Sequence, residues 1–327
     1  MNVRALFRAV AIPGAAAPYD RATLKIYYPA SFSGTDEERD TGMVPVAVEH
    51  SPLPIVVIMP GINVGPESYG WLAKTLAVAG IVTVTYATIA EDMPGYVSLS
   101  PGLNIEALKP DTYGTRLSAS ALAPVLTELA AINREGLLAG HLDLDHIVLG
   151  GHSAGGTVAL LNASANWFPG LCGCFSYGAH SGASTILGWP QDSLMPLPGQ
   201  LPTLIMGGTQ DGCIANSAGR YGDDETSPTA RVERTFDEAL GSDRGDSYLV
   251  LIEGANHFSM VFPEDESTGR PFIDFEATRP QEETRALLAG LIGDFVAVCV
   301  QGDEDARAAL ERTLFEENRA IAVARKR

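Results

Sequence analysis

The stretch His146-Ile-Val-Leu-Gly-Gly-His-Ser-Ala-Gly-Gly156 decides how this sequence folds. An apolar run, His146 to Leu149, leads straight into a glycine-rich turn centred on Ser153. Behind the turn, Ser153 to Ala165 is rich in small residues and free of proline. That order predicts a buried strand, a sharp turn and a helix, with one hydroxyl at the apex.

Working outward, the same alternation repeats. Pro54-Ile-Val-Val-Ile-Met59 is a β-branched run halted by Pro60-Gly61, the pattern of a strand buried on both faces of a parallel sheet. Trp71 to Ala79 has helical spacing and closes at Gly80, and Ile81 to Tyr86 is the next strand. Residues 115 to 134 read as an amphipathic helix. Gly173 to Tyr177, Leu204 to Met206 and Tyr248 to Ile252 read as further strands, and 281–300 and 304–324 as closing helices. Leu24 to Tyr28, ending at Pro29, reads as an early edge strand. The expected class is α/β: a doubly wound, mostly parallel sheet with helices on both faces, in one domain spanning residues 1–327. Two segments break the alternation, 88–114 and 212–230; both leave strand ends where ligands bind in such folds and are candidate walls of a cleft. Residues 88–114 and 181–200 are candidate cleft-lining insertions.

The chain has 327 residues, with 40 acidic against 22 basic and a net charge of −18. Such a surface repels phosphate backbones and anionic membrane faces, which excludes nucleic acid as a natural partner. No apolar stretch reaches membrane-spanning length, so stable membrane insertion is not expected. The first residues, with Arg4, Arg8 and many small side chains, faintly resemble a secretion signal. Arg8 and Pro13 cut the apolar core short, and a cytoplasmic location is expected. Cys172, Cys174, Cys213 and Cys299 lack zinc-site spacing and read as buried free thiols, with a disulfide involving Cys213 as the alternative.

The chemistry follows from Ser153. A serine on a strand-to-helix turn is a candidate nucleophile, but a hydroxyl needs a base to take its proton. His257, in Glu253-Gly-Ala-Asn-His257, follows the last strand and is the candidate base. The acid that would orient it should follow Leu204 to Met206. Asp211 stands there, with Asp223 and Asp224 further along the loop as competitors. Developing negative charge needs two backbone donors. The N–H groups of Ala154 and of Ile62, after Pro60-Gly61, are the candidates, and the Asn63 side chain is available beside them. Tyr96, Leu187 and Trp189 offer apolar surface for a substrate. No phosphate loop, dinucleotide fingerprint or metal-ligand spacing stands out, so neither a cofactor nor a metal is expected.

Pro60-Gly61, the Gly151-His-Ser153-Ala-Gly-Gly156 turn, Asp211 and Gly254-Ala-Asn-His257 together resemble the dienelactone-hydrolase-like branch of the α/β-hydrolases. That branch also holds chlorophyllases, platelet-activating-factor acetylhydrolases and bacterial polyester hydrolases. The resemblance covers roughly residues 20 to 300. It implies an α/β-hydrolase fold and hydrolysis of a small-molecule carboxylic ester, with Ser153, Asp211 and His257 as the triad and Ile62 and Ala154 as oxyanion donors. A thioesterase or amide hydrolase with the same triad, or a non-catalytic binding protein keeping the fold, are the alternatives.

Overall fold

Every residue of the strand Leu53–Met59 is buried, because strands flank it on both sides and helices cover both of its faces. The computed structural model describes residues 2–93, 95–222, 226–241 and 243–327. The strands are β1 (Asn2–Ala11), β2 (Arg21–Ala30), β3 (Leu53–Met59), β4 (Val82–Met93), β5 (Tyr96–Ser100), β6 (Leu142–His152), β7 (Leu171–Tyr177), β8 (Thr203–Gln210), β9 (Tyr248–Asn256) and β10 (Ile321–Lys326). They form one ten-stranded mixed sheet in the order β1-β2-β4-β3-β6-β7-β8-β9-β10, with β5 paired to β4. The six central strands, β4-β3-β6-β7-β8-β9, are mutually parallel. The outer strands β1, β2, β5 and β10 pair antiparallel with their neighbours.

The helices are α1 (Asp36–Thr41), α2 (Gly70–Val78), α3 (Leu122–Ile132), α4 (Ala154–Asn162), α5 (Gly212–Ala215), α6 (Ala230–Arg234), α7 (Gln281–Gln301) and α8 (Glu304–Phe315). Side chains alternate along a strand, so each central strand feeds two cores. Ile55, Val57, Ile147 and Leu149 join Leu122, Val125 and Leu129 of α3 and Val158 of α4 on one face. Val56, Ile58, Val148 and Phe175 join Leu72 and Leu76 of α2 and Leu288, Ile292 and Phe295 of α7 on the other. The protein is therefore α/β, with helices on both faces of a mostly parallel sheet. Among the described residues no helix is long and apolar enough to cross a membrane.

The structure departs from the sequence expectations at the margins of the sheet. Residues 2–11 form β1, which pairs along its whole length with β2. The strand expected at the edge is thus an inner one, with β1 on one side and β4 on the other. Residues 304–324 do not stay helical: α8 stops at Phe315 and Ile321–Lys326 turns into β10. Ala and Arg favour a helix there, but the exposed edge of β9 offers a ladder of hydrogen bonds that the local preference does not outweigh. Part of the expected 88–114 loop is strand, since β4 runs on to Met93 and folds back as β5. The helix expected over 115–134 is confined to Leu122–Ile132. The cysteines are free thiols, with Cys174 and Cys213 buried.

Phe295 is 1% exposed, and Phe7, on the outermost strand, is 63% exposed. Phe295→Ala is expected to lower unfolding free energy by about 3–5 kcal/mol in urea denaturation. Phe7→Ala should stay within about 0.5 kcal/mol of wild type. Equal losses at both positions would refute this partition of the core.

Candidate active site

β6 delivers Ser153 to the end of the sheet, and the turn into α4 leaves it at φ 56° and ψ −126°. A non-glycine residue with positive φ is strained, and neighbouring packing must hold it there. Here the holding is backbone against backbone. A Cβ on Gly155 would lie 2.2 Å from the Met59 carbonyl oxygen, and one on Gly151 would lie 2.3 Å from the Gly155 carbonyl oxygen. Only glycine lets α4 start so close to the end of β3. The Ser153 amide is fixed by donating to the Tyr177 carbonyl at 3.0 Å. Its hydroxyl has no hydrogen-bond partner among the described residues and faces a cavity of about 550 Å³.

The turn after β3 faces the same cavity. Its N–H groups are nearly all taken: Gly61 donates to the Tyr69 hydroxyl at 2.9 Å, Asn63 to the Leu99 carbonyl, and Val64 to the Gly61 carbonyl. The Ile62 N–H has no acceptor among the described residues, and neither does that of Ala154 at the first turn of α4. Both residues line the cavity. The Asn63 side chain is occupied elsewhere. Its oxygen accepts from the Leu99 amide at 3.0 Å and its nitrogen donates to the Tyr96 hydroxyl at 2.9 Å, so it ties down the β4–β5 hairpin.

His257 begins the short helical turn after β9, and Asp211 caps α5 after β8. Their side chains meet at 2.8 Å between His257 Nδ1 and Asp211 Oδ2. Asp211 is fully buried, and its other oxygen accepts from the Ile214 amide at 2.8 Å. Asp223 and Asp224, its rivals in the sequence, lie outside the described residues. Burial pulls the His257 pKa down, but the charge and hydrogen bond of Asp211, helped by Asp274, outweigh it and leave it above the ordinary value. With Nδ1 bonded to a carboxylate, His257 carries its proton there and turns the bare Nε2 outward.

Two more histidines border the cavity in the opposite electrostatic state. His152 is fully buried and held well below its usual pKa by burial and by the charge of His257. Its Nε2 donates to the His257 carbonyl at 2.9 Å, which leaves Nδ1 to accept from the Tyr69 hydroxyl at 3.0 Å. A buried chain therefore runs from the Gly61 amide through Tyr69 and His152 to the backbone of His257. His180 Nδ1 accepts from the Gly182 amide, and burial, with Arg231 and His257, pushes its pKa down to about 3.

The structure thus brings Ser153, His257, Ile62, Ala154, Asn63 and Tyr96 to one cavity, with Asp211 behind His257. Leu187 and Trp189 are not among the residues that line it. Trp189 donates to the Leu108 carbonyl and stacks edge-on with Tyr113, and both Leu187 and Trp189 pack on the core. The 88–114 segment contributes Ser98, Leu103 and Ile105 to the wall. Sequence reasoning missed Tyr69, His180, Arg270 and Asp274. No local pattern marks them: Tyr69 and Asp274 find partners far along the chain, and the Gly182 amide that His180 accepts from is a backbone group present in any sequence.

No protein-family model matches the sequence, and no curated protein matches it.

Tyr69 is fully buried, and Tyr69→Phe removes the middle of the chain while keeping its shape. The Gly61 N–H and His152 Nδ1 would then be buried without partners, a loss of about 1–3 kcal/mol in chemical denaturation. A change below about 0.5 kcal/mol, the scale of a neutral surface substitution, would show that this chain does not hold the two loops.

Proposed function

We propose that the protein is a serine hydrolase of the α/β-hydrolase fold, cleaving carboxylic esters through an acyl-enzyme on Ser153. One observation carries the reading: a strained, unpaired serine on a strand-to-helix turn faces the same cavity as a histidine hydrogen-bonded to a fully buried aspartate. Strain at such a position is maintained only where the surroundings enforce it, and it marks functional sites. The chain order Ser153, Asp211, His257 also agrees with the nucleophile, acid and base order of that fold.

In the proposed mechanism the ester carbonyl settles between Ser153 and the free N–H groups of Ile62 and Ala154. His257 Nε2 takes the hydroxyl proton as Ser153 Oγ bonds to the carbonyl carbon. Asp211 holds the ring in this tautomer and stabilises the imidazolium. The oxyanion rests on the two backbone donors and on the positive end of α4. His257 then protonates the leaving alcohol, and water repeats the sequence to free the acid and regenerate Ser153. Ile62, Val64, Leu103, Ile105, Ile214 and Phe258 give the cavity an apolar lining that suits a hydrophobic ester.

Turnover of p-nitrophenyl butyrate should fall about 10⁶-fold in kcat for Ser153→Ala. Fluorophosphonate should label the wild type and not the variant. Ester turnover that survives Ser153→Ala would falsify the proposal. The base works only when neutral. Because the His257 pKa is raised, kcat/KM should climb with pH through a midpoint above 6.5. Asp211→Asn should lower that midpoint and reduce kcat by about 10⁴-fold. A midpoint at or below 6.5 in the wild type would show that Asp211 and Asp274 do not outweigh the burial of His257.

A further inference from the structure

Residues 270–278 form a strap that crosses from the loop carrying Asp211 to the loop carrying His257. Asp274 lies at its centre. Its Oδ1 accepts from the Gly212 amide at 2.7 Å and from the Phe275 amide at 3.0 Å, and its Oδ2 accepts from the Phe258 amide at 3.2 Å. Gly212 is the residue after Asp211, and Phe258 is the residue after His257. A single carboxylate therefore holds the backbone immediately beyond both members of the pair, although the two loops leave different strands. The rest of the strap repeats this arrangement. Asn216 Nδ2 donates to the Ile273 carbonyl on the acid side, at 2.9 Å, and Asn256 Nδ2 donates to the Phe275 carbonyl on the histidine side, at 3.0 Å. The strap runs so close to Gly212 that a Cβ there would lie 2.4 Å from the Phe275 nitrogen.

We infer that Asp274 is a positioning residue for the reaction at Ser153: it sets the spacing between the Asp211 and His257 loops and favours the imidazolium electrostatically. This rests on the serine-hydrolase reading above. Main-chain carbonyls would satisfy the two amides without placing a second, half-buried carboxylate beside Asp211. A carboxylate is costly there, from desolvation and from repulsion between like charges. Burial, with the charge of Asp211, pushes Asp274 up to about 6, while His257 and the two amides pull it back. It is therefore mainly ionised at neutral pH. The groups that face His257 are Asp211 from the end of β8, Asp274 and Arg270 from the strap, His152 from the end of β6 and His180 from the loop after β7. The two other histidines are neutral and Arg270 opposes protonation, so Asp211 and Asp274 are the groups that favour the charged ring. Removing one of those carboxylate charges must shift His257 deprotonation to lower pH.

The test compares wild type, Asp274→Asn and Asp274→Glu in full-length protein. Asp274→Asn should reduce kcat about tenfold, the scale for losing an outer partner of a working histidine, with little change in KM. The acid limb of kcat/KM should move to lower pH, and Asp274→Glu should restore most of that shift. The His257 ring is also titrated directly by ¹H–¹⁵N NMR, which needs no turnover. A midpoint that drops in Asp274→Asn supports the electrostatic role of Asp274 toward His257, and absence of that drop is distinguishable from a protein that cleaves no ester. An unmoved midpoint, or a raised KM with unchanged kcat, overturns it. In the unaltered protein, the Gly212 and Phe258 amide resonances should shift together, with a common midpoint of about 6. Independent behaviour of the two amides would overturn the clamp without any substitution.

Discussion

The contact between Gly155 and the carbonyl end of β3 is the constraint on which the site depends. Any side chain at Gly155 would meet the carbonyl oxygens of Met59 and Pro60 at 2.2 and 2.4 Å. With none there, α4 starts directly against β3, and the chain leaving β6 has too little room for a relaxed turn. The positive φ of Ser153 is the outcome. The same contact sets the Ala154 amide beside the turn that carries the Ile62 amide. Ser153 and the Ile62 and Ala154 N–H groups are thus held by main-chain packing, which side-chain motion cannot loosen.

From that point the order propagates through hydrogen bonds. The Gly61 amide, the Tyr69 hydroxyl and His152 carry it to the backbone of His257, and the Tyr177 hydroxyl donates to the Asn256 carbonyl at 2.6 Å. The chain also explains how three histidines at one cavity differ. His152 and His180 have no carboxylate partner and stay neutral under burial, His180 helped by Arg231, whereas His257 has a carboxylate that reverses the effect of burial. Separation of pKa values between neighbouring groups is how acid and base duties are divided within one site.

The centre of the fold was legible because its signals are local. Apolar runs such as 54–59 and 146–149 need no knowledge of their neighbours to be assigned as strands, and glycines flanking Ser153 announce a tight turn. The margins were not legible. Residues 2–11 and 321–326 are half-exposed strands of mixed polarity, and each becomes a strand only because the sheet leaves an edge for it. The site divides in the same way. Ser153, Asp211 and His257 stand at strand ends, which the alternation locates. Tyr69 acts on His152, 83 residues on, and Asp274 acts on Gly212, 62 residues back. Neither link leaves a trace in local spacing. The apolar character of Leu187 and Trp189 serves a core as well as a cleft, and the core is where they pack.

The edges also show how a chain of net charge −18 uses its few cations. Outer strands expose unpaired backbone groups and invite pairing between molecules, a hazard often met by placing charge on the edge. Here β1 carries Arg4 and Arg8, and β10 carries Arg325 and Lys326. Most of these turn inward to acidic side chains on neighbouring helices: Arg8 pairs with Glu128 of α3, Arg325 with Glu233 of α6 and with Asp237, and Lys326 with Glu311 of α8. Partly exposed pairs of this kind contribute only about 0–1 kcal/mol each, too little to hold a strand. What they do is choose: a strand bearing cations finds its counterions on the helices of its own sheet. The acidic side chains of the helices thus give the cations of both edge strands counterions within their own sheet.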